Sequence, residues 1–224
     1  MLAANKPLAN RLVRALPGTH EMVVQTALRF VSARGKALDL GAGSGALAEH
    51  LQFAGLEVTA VDISNYFELN SEFVQVDMNE PDFDRRISRQ FDLVTSVEVI
   101  EHLDNPTAFL RSIYRLLKEN GIAILTTPNI ENIPARLRFF LSGNVRAMDK
   151  NAPEHITPIH LDLFLRQVLP RTGLVLIEHR VYPEGRFPLT ARNYLVPFFS
   201  LFKSVMKGTA LTGDSHVFVL KKGH

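Results

Sequence analysis

The sequence predicts an α/β protein with a doubly wound, mostly parallel sheet and helices on both faces. Three observations predict it. From Lys36 to Thr127, short apolar runs alternate with stretches of helical periodicity. A glycine-rich turn, Gly41, Gly43 and Gly45, joins the first apolar run to a helix-like segment. Acidic residues, Asp39, Asp62, Asp77 and Glu98, end four apolar runs. In an open parallel sheet the ligand crevice lies beyond the carboxyl ends of the strands, so all four would face one region.

Taken in order, residues 2–16 and 19–32 place apolar and charged positions at helical spacing on either side of the Pro17–Gly18 breaker. They read as two short helices, an N-terminal cap over residues 1–32 that covers one sheet edge and closes over a cofactor. Strands are expected at 36–40, 57–62, 73–77, 91–97 and 121–127, with helices at 45–54 and 106–118. Beyond Thr127 the pattern loosens. A helix is expected near 133–141 and another over 160–169, ending before Pro170 and Gly173. A strand at 174–181, a loop at 183–193, a helix at 194–206 and a last strand, SHVFVLKK, complete the chain. The whole, 1–224, reads as one domain, with 183–213 an insertion or lid before the last strand.

Composition narrows the function. With 25 Lys and Arg against 23 Asp and Glu, the net charge of +2 is too small to argue for nucleic acid. The chain has no cysteine, hence no disulfide framework and no thiolate metal site, which fits a reducing compartment. Charges interrupt the apolar positions of the N-terminal residues, unlike a signal peptide, and no apolar run reaches transmembrane length. A soluble, cytoplasmic protein is the expectation.

The stretch from Ala37 to Ser64 carries the first chemistry. Gly41 and Gly43 let the backbone turn tightly and let a ligand approach where a Cβ would intrude, and Gly45 lets the next helix start close to the strands. Asp62, ending the second strand, can accept from two ribose hydroxyls. The spacing is GxGxG followed by Ala46, whereas a dinucleotide site places its third glycine one residue later.

DLGAGSG with its downstream Val61–Asp62 resembles motif I of the class I S-adenosylmethionine-dependent methyltransferases. The stretch QFDLVTSVEVIEHLDNPTAFLRSIYRLLKENGIAILTTPN resembles motif IV and its surroundings in the small-molecule branch, including the ubiquinone and menaquinone types. Glu119–Asn120–Gly121 stands where Pro-Gly-Gly is commoner, keeping the turn glycine. The resemblance covers residues 30–130 and fades beyond. It implies a seven-stranded sheet of order 3-2-1-4-5-7-6 with an antiparallel edge. It also implies S-adenosylmethionine as cofactor and methyl transfer to an oxygen, or else a nitrogen, of a small molecule such as a glycan, lipid-linked or natural-product acceptor. The cofactor-binding set would be Asp39, Gly41, Gly43, Gly45, Asp62, Asp77, Met78 and Glu98. Within it, Asp77 would bind the adenine amino group, Met78 would lie against the ring, and Asp39 would hold the methionine ammonium through water. A non-catalytic S-adenosylmethionine-binding subunit and a dinucleotide-dependent oxidoreductase remain the alternatives.

The catalytic candidates are His102 in EVIEH and His155 in EHITPIH, imidazoles whose ordinary pKa suits a general base. His160 and Asn129 are further acceptor-side candidates, with helix entry and turn formation as their plainer roles. Glu98, Glu101 and His102 have the composition of a divalent-cation set, and some quinone-type relatives are thought to use these positions so. The expectation is nonetheless that no metal is bound. The segment YLVPFFSLFKSVMK is read as a lid over an apolar substrate, a dimer surface, a peripheral membrane contact through 194–207, or a helix packed on the domain's own core.

Overall fold

The computed structural model describes residues 15–65, 72–150, 152–185 and 210–223. The helices expected at 2–16 and 194–206, with most of the 183–213 segment, lie outside these residues. So does the greater part of the first half of the N-terminal cap.

Seven strands form one sheet in the order β3-β2-β1-β4-β5-β7-β6. They are β1 (Lys36–Leu40), β2 (Glu57–Asp62), β3 (Glu72–Gln75), β4 (Phe91–Val97), β5 (Leu117–Pro128), β6 (Leu174–Tyr182) and β7 (Ser215–Lys222). The first five pair parallel, while β7 runs antiparallel to both β5 and β6. Among the described residues, four helices of eight residues or more accompany them: α1 (Thr19–Ala27), α2 (Ala46–Phe53), α3 (Pro106–Leu116) and α4 (Ile133–Ser142).

Period-two alternation assigns the faces. Leu38, Leu40, Val94, Leu125, Phe218 and Leu220 pack with Phe109, Leu110 and Ile113 of α3. Their strand neighbours Ala37, Leu93, Ile122, Ile124, Val217 and Val219 pack with α1 and α2. The strands β1, β4, β5 and β7 are thus apolar on both sides, as a sheet covered twice requires. The residues flanking α1 reach the edge strand: Arg29 pairs with Glu178 of β6 at 2.9 Å, and the Tyr182 hydroxyl donates to the Pro17 carbonyl at 3.2 Å.

Several boundaries differ from expectation. The helix expected over 19–32 stops at Ala27, where i→i−3 bonds from Arg29 and Phe30 tighten the last turn. The third strand ends at Gln75, short of Asp77. α3 stops at Leu116 and β5 begins at Leu117, earlier than 121, because Glu119, Asn120 and Gly121 are accommodated as an irregularity within the strand. The helix expected over 160–169 is one short α-turn, Leu161–Leu163, then a π-turn, Phe164–Val168, and a 3-10 turn, Leu169–Arg171. Pro170 cannot donate to a continuing α-ladder, and Phe164 is pinned against Phe218 with ring centroids 4.5 Å apart.

Candidate active site

The sheet order sets the site out in a row. Across β3, β2, β1 and β4, the carboxyl ends present Asp77, Asp62, the glycine turn and Glu98 in succession. After β1 the chain turns through Gly41, Gly43 and Gly45, with φ of 77, 53 and 76°. At Gly41 a Cβ would stand 2.3 Å from Val99 Cγ2, so the β1 turn and the β4 turn close on each other only because that residue is glycine. At Gly43 a Cβ would meet nothing within 4 Å, so the turn opens onto free space. Gly45 stands at the N-cap of α2.

Asp62 is held rather than loose. Its Oδ2 accepts from the Gly43 amide at 2.8 Å, which ties the end of β2 to the glycine turn. Asp39 lies one strand over, buried, in register with Thr95 of β4. Its Oδ1 accepts from the Thr95 hydroxyl at 2.9 Å, and its Oδ2 has no hydrogen-bond partner among the described residues. Burial, with the nearby charge of Asp62, raises the Asp39 carboxyl to about 7. Asp77 sits two residues beyond β3, where its Oδ1 accepts from the Asn79 amide at 2.8 Å as a turn-forming aspartate does. Met78 is half-buried against the core on the α3 side.

Glu98 has a φ of 54°, a strained position for a residue with a Cβ, of the kind found at functional sites. Thr126 over-determines it: the threonine hydroxyl donates to Glu98 Oε1 at 2.8 Å, and the Glu98 amide donates to the Thr126 carbonyl at 3.2 Å. Burial and the neighbouring Asp214 raise its carboxyl to about 7. Three residues on, Glu101 is fully buried, and burial plus the Glu98 charge raise it well above the usual range. Thr127 donates to Glu101 Oε2 at 3.0 Å, while Oε1 has no partner among the described residues. Consecutive threonines, facing opposite sides of β5, therefore hold the two glutamates apart.

His102 and His155, 53 positions apart in sequence, come together edge to face with ring centroids 4.5 Å apart. Each has its Nδ1 against a backbone carbonyl, Glu154 O at 3.1 Å for His102 and Ala147 O at 2.7 Å for His155. A carbonyl only accepts, so Nδ1 carries the hydrogen and Nε2 is the lone-pair nitrogen in both neutral rings. With Glu101 they form a group whose ligand atoms lie within 4.8 Å of one another. The cation-type set drawn from sequence, Glu98, Glu101 and His102, is thus replaced by Glu101, His102 and His155, because the Glu98 carboxylate is engaged by Thr126.

Two further candidates fall elsewhere. His160 lies 3.3 Å from Glu131 in a separate group with His216 and His179. In that group burial and the His216 charge lower His179 to about 4. Asn129 makes its turn and more: its side-chain nitrogen donates to the carbonyls of Ala210 and Thr212, both at 2.9 Å, anchoring the chain as it enters β7. Sequence reading missed Thr95 and Thr126, whose only signal is a polar residue inside an apolar strand.

A cationic, nucleoside-bearing ligand fits these residues. Asp39, Glu98 and Glu101 form no ion pair with a Lys or Arg among the described residues. Buried carboxylates without a counter-charge favour a ligand that brings one. Fold and site together define a Rossmann-like α/β protein with a row of acids and a glycine turn at its strand ends.

The comparisons are specific. A methyltransferase domain family matches residues 18–179. The ubiquinone biosynthesis O-methyltransferase of Xanthomonas oryzae is 37% identical over 117 residues, 46% of this chain and 48% of that protein. Its Pseudomonas putida counterpart is 33% identical over 104 residues, 42% and 44% of the two chains. The chain spans about half the length of these curated relatives. Among solved structures, a SAM-dependent methyltransferase from Archaeoglobus fulgidus superposes with a TM-score of 0.61 at 18% identity, covering 91% of this chain and 95% of that one. Magnesium protoporphyrin IX methyltransferase from Synechocystis, solved with SAH, gives 0.58 at 15% identity, covering 92% and 82%. The chain belongs to the methyltransferase domain family, within the class I S-adenosylmethionine-dependent methyltransferases.

Proposed function

We propose that this protein moves a methyl group from S-adenosylmethionine to a hydroxyl oxygen of a small acceptor. The observation that carries the reading is the row of Asp77, Asp62, glycine turn and Glu98 across four adjacent strand ends, backed by buried acids that lack a counter-cation. In this reading Asp62 takes the ribose hydroxyls, Asp77 and Met78 the adenine, and the open backbone at Gly41, Gly43 and Gly45 the methionine end. Asp39 and Glu98 answer the positive charges. When bound, S-adenosylmethionine supplies a methyl group on a cationic sulfur, already a strong electrophile, so the protein's work is alignment and charge complementarity.

His102 and His155 serve the acceptor. The carbonyls at Nδ1 fix the lone pairs on Nε2, and both rings stand next to the Glu101 carboxyl. The acceptor's O–H proton passes to one of these nitrogens as the oxygen gains the methyl group. The O-methyltransferase names of the curated relatives support oxygen over nitrogen. The reading includes a cytoplasmic location, where the methyl donor is made.

A second reading of the same group rests on its geometry. One ring nitrogen from each imidazole and one carboxylate oxygen, all within 4.8 Å of one another, suit a divalent cation, which Glu101, His102 and His155 would hold and which would acidify an acceptor hydroxyl. The two readings separate by chelation. With tritiated-methyl S-adenosylmethionine and a panel of catechols, prenylated phenols and glycans, label should enter at least one acceptor. Activity that survives EDTA supports the imidazole base, and activity restored by added Zn²⁺ or Mg²⁺ supports the cation. No transfer to any hydroxylated acceptor, with transfer to amines instead, would overturn the oxygen assignment.

A further inference from the structure

The connection from β5 to His155 carries a surface that the site does not use. α4 is anchored at its base: Asn132 caps it by accepting from the Ala135 amide at 2.9 Å, Ile133 and Ala135 are buried, and the Ile133 amide donates to the Leu211 carbonyl at 3.1 Å. Its other end is bare. Phe139, Phe140 and Leu141 are 57, 84 and 79% exposed, and Phe140 and Leu141 are the two most exposed large apolar side chains among the described residues.

We propose that this tip of α4 inserts into the headgroup layer of a membrane bearing anionic lipid. Two features favour lipid over a protein partner. Three consecutive helical residues fan through about 200° of arc, so one flat or grooved surface covers at most part of them, whereas acyl chains surround an immersed tip on all sides. The flanking charge is complementary. Residues 133–150 carry Arg136, Arg138, Arg146 and Lys150 against Asp149 alone. Pairing of Arg138 with Asp149 and of Arg146 with Asp214 still leaves Lys150 and Arg136 in surplus along the segment, Arg136 at the helix base where it donates to the Glu131 carbonyl. Anionic lipid attracts such a surplus, and the apolar tip supplies the hold. The segment also leads directly to His155, so docking would set the acceptor side of the cleft toward the bilayer, and Ile156 beside it is itself exposed. The inference does not rest on methyl transfer.

Because the chain has no tryptophan, Phe140→Trp makes a single reporter at the tip. With the full chain and vesicles of phosphatidylcholine and phosphatidylglycerol in equal parts, its emission should shift to the blue and be quenched by brominated acyl chains. Pure phosphatidylcholine should produce little of either. In co-sedimentation, the exposed double variant F140S/L141S should bind the mixed vesicles about tenfold or more weakly than wild type, with its S-adenosylmethionine affinity unchanged as a check on folding. Three results would overturn the proposal: wild type that ignores anionic vesicles, a double variant that binds as tightly as wild type, or a tryptophan that shifts only as the protein self-associates without lipid.

Discussion

Replacing Asp39 by Asn tests the electrostatic reading of the site through stability alone. The Asp39 side chain is buried, and its carboxyl is raised from 3.8 to about 7, chiefly by burial. The native carboxyl therefore holds its proton more tightly than the unfolded one. Its contribution is fully present below about pH 4 and is lost as the pH rises through 7. A shift of about three pH units corresponds to roughly 4 kcal/mol at 1.36 kcal/mol per unit. Partial relaxation of the apo site makes about 2–4 kcal/mol the working range. Asn keeps the shape and the bond from Thr95 but cannot ionise. At pH 8 the ligand-free variant should melt about 5–10 °C above wild type, and by pH 5 the gap should narrow to roughly a third of that. Differential scanning calorimetry from pH 5 to 8 reads the difference, which cancels the parallel titrations of Glu98 and Glu101. The variant should also lose most of its affinity for S-adenosylmethionine, stability having been exchanged for binding. A variant whose melting temperature follows wild type across that range would refute the claim that Asp39 is a buried acid awaiting a cation.

Gly41→Ala sets a Cβ 2.3 Å from Val99 Cγ2 at a φ of 77°, and should cost about 2–3 kcal/mol together with cofactor binding; chemical denaturation and calorimetry on one sample check both. Arg115→Ala strips the bidentate partner, at 2.7 and 2.6 Å, from the buried Asp84, and should destabilise by about 2 kcal/mol in urea while S-adenosylmethionine affinity stays at wild type. His155→Ala should lower kcat about a hundredfold with cofactor affinity unchanged; a parallel loss of affinity would assign the residue to the cofactor instead.

Much of the fold was legible because its signals are local. The strands 36–40, 57–62 and 91–97 match the observed bounds, since buried parallel strands read as continuous apolar runs between turn residues. The sheet order came from family resemblance, as no local pattern encodes which strands are neighbours. The misjudged boundaries are those decided by tertiary contact. Phe164 on Phe218 and the Leu161 amide on Glu131 Oε2 shape 160–171 into π and 3-10 turns that helical periodicity cannot distinguish from an α-helix. The acids proposed for the cofactor could be named because each lies at or just beyond the end of its own apolar run. The pairing of His102 with His155 could not, because it depends on how residues 143–160 fold back, with the Ile156 and Thr157 amides both donating to the Glu101 carbonyl at 2.9 Å. The network of Glu131, His160, His179 and His216 was hidden for the same reason, its members coming from four separate elements or loops.

The most direct test of the account is isothermal titration calorimetry of S-adenosylmethionine and NAD against wild type and Asp62→Ala. The account predicts micromolar binding of S-adenosylmethionine to wild type, a loss of about a hundredfold or more in the variant, and no binding of NAD to either. Tight NAD binding, or undiminished S-adenosylmethionine affinity without the Asp62 carboxylate, would contradict it.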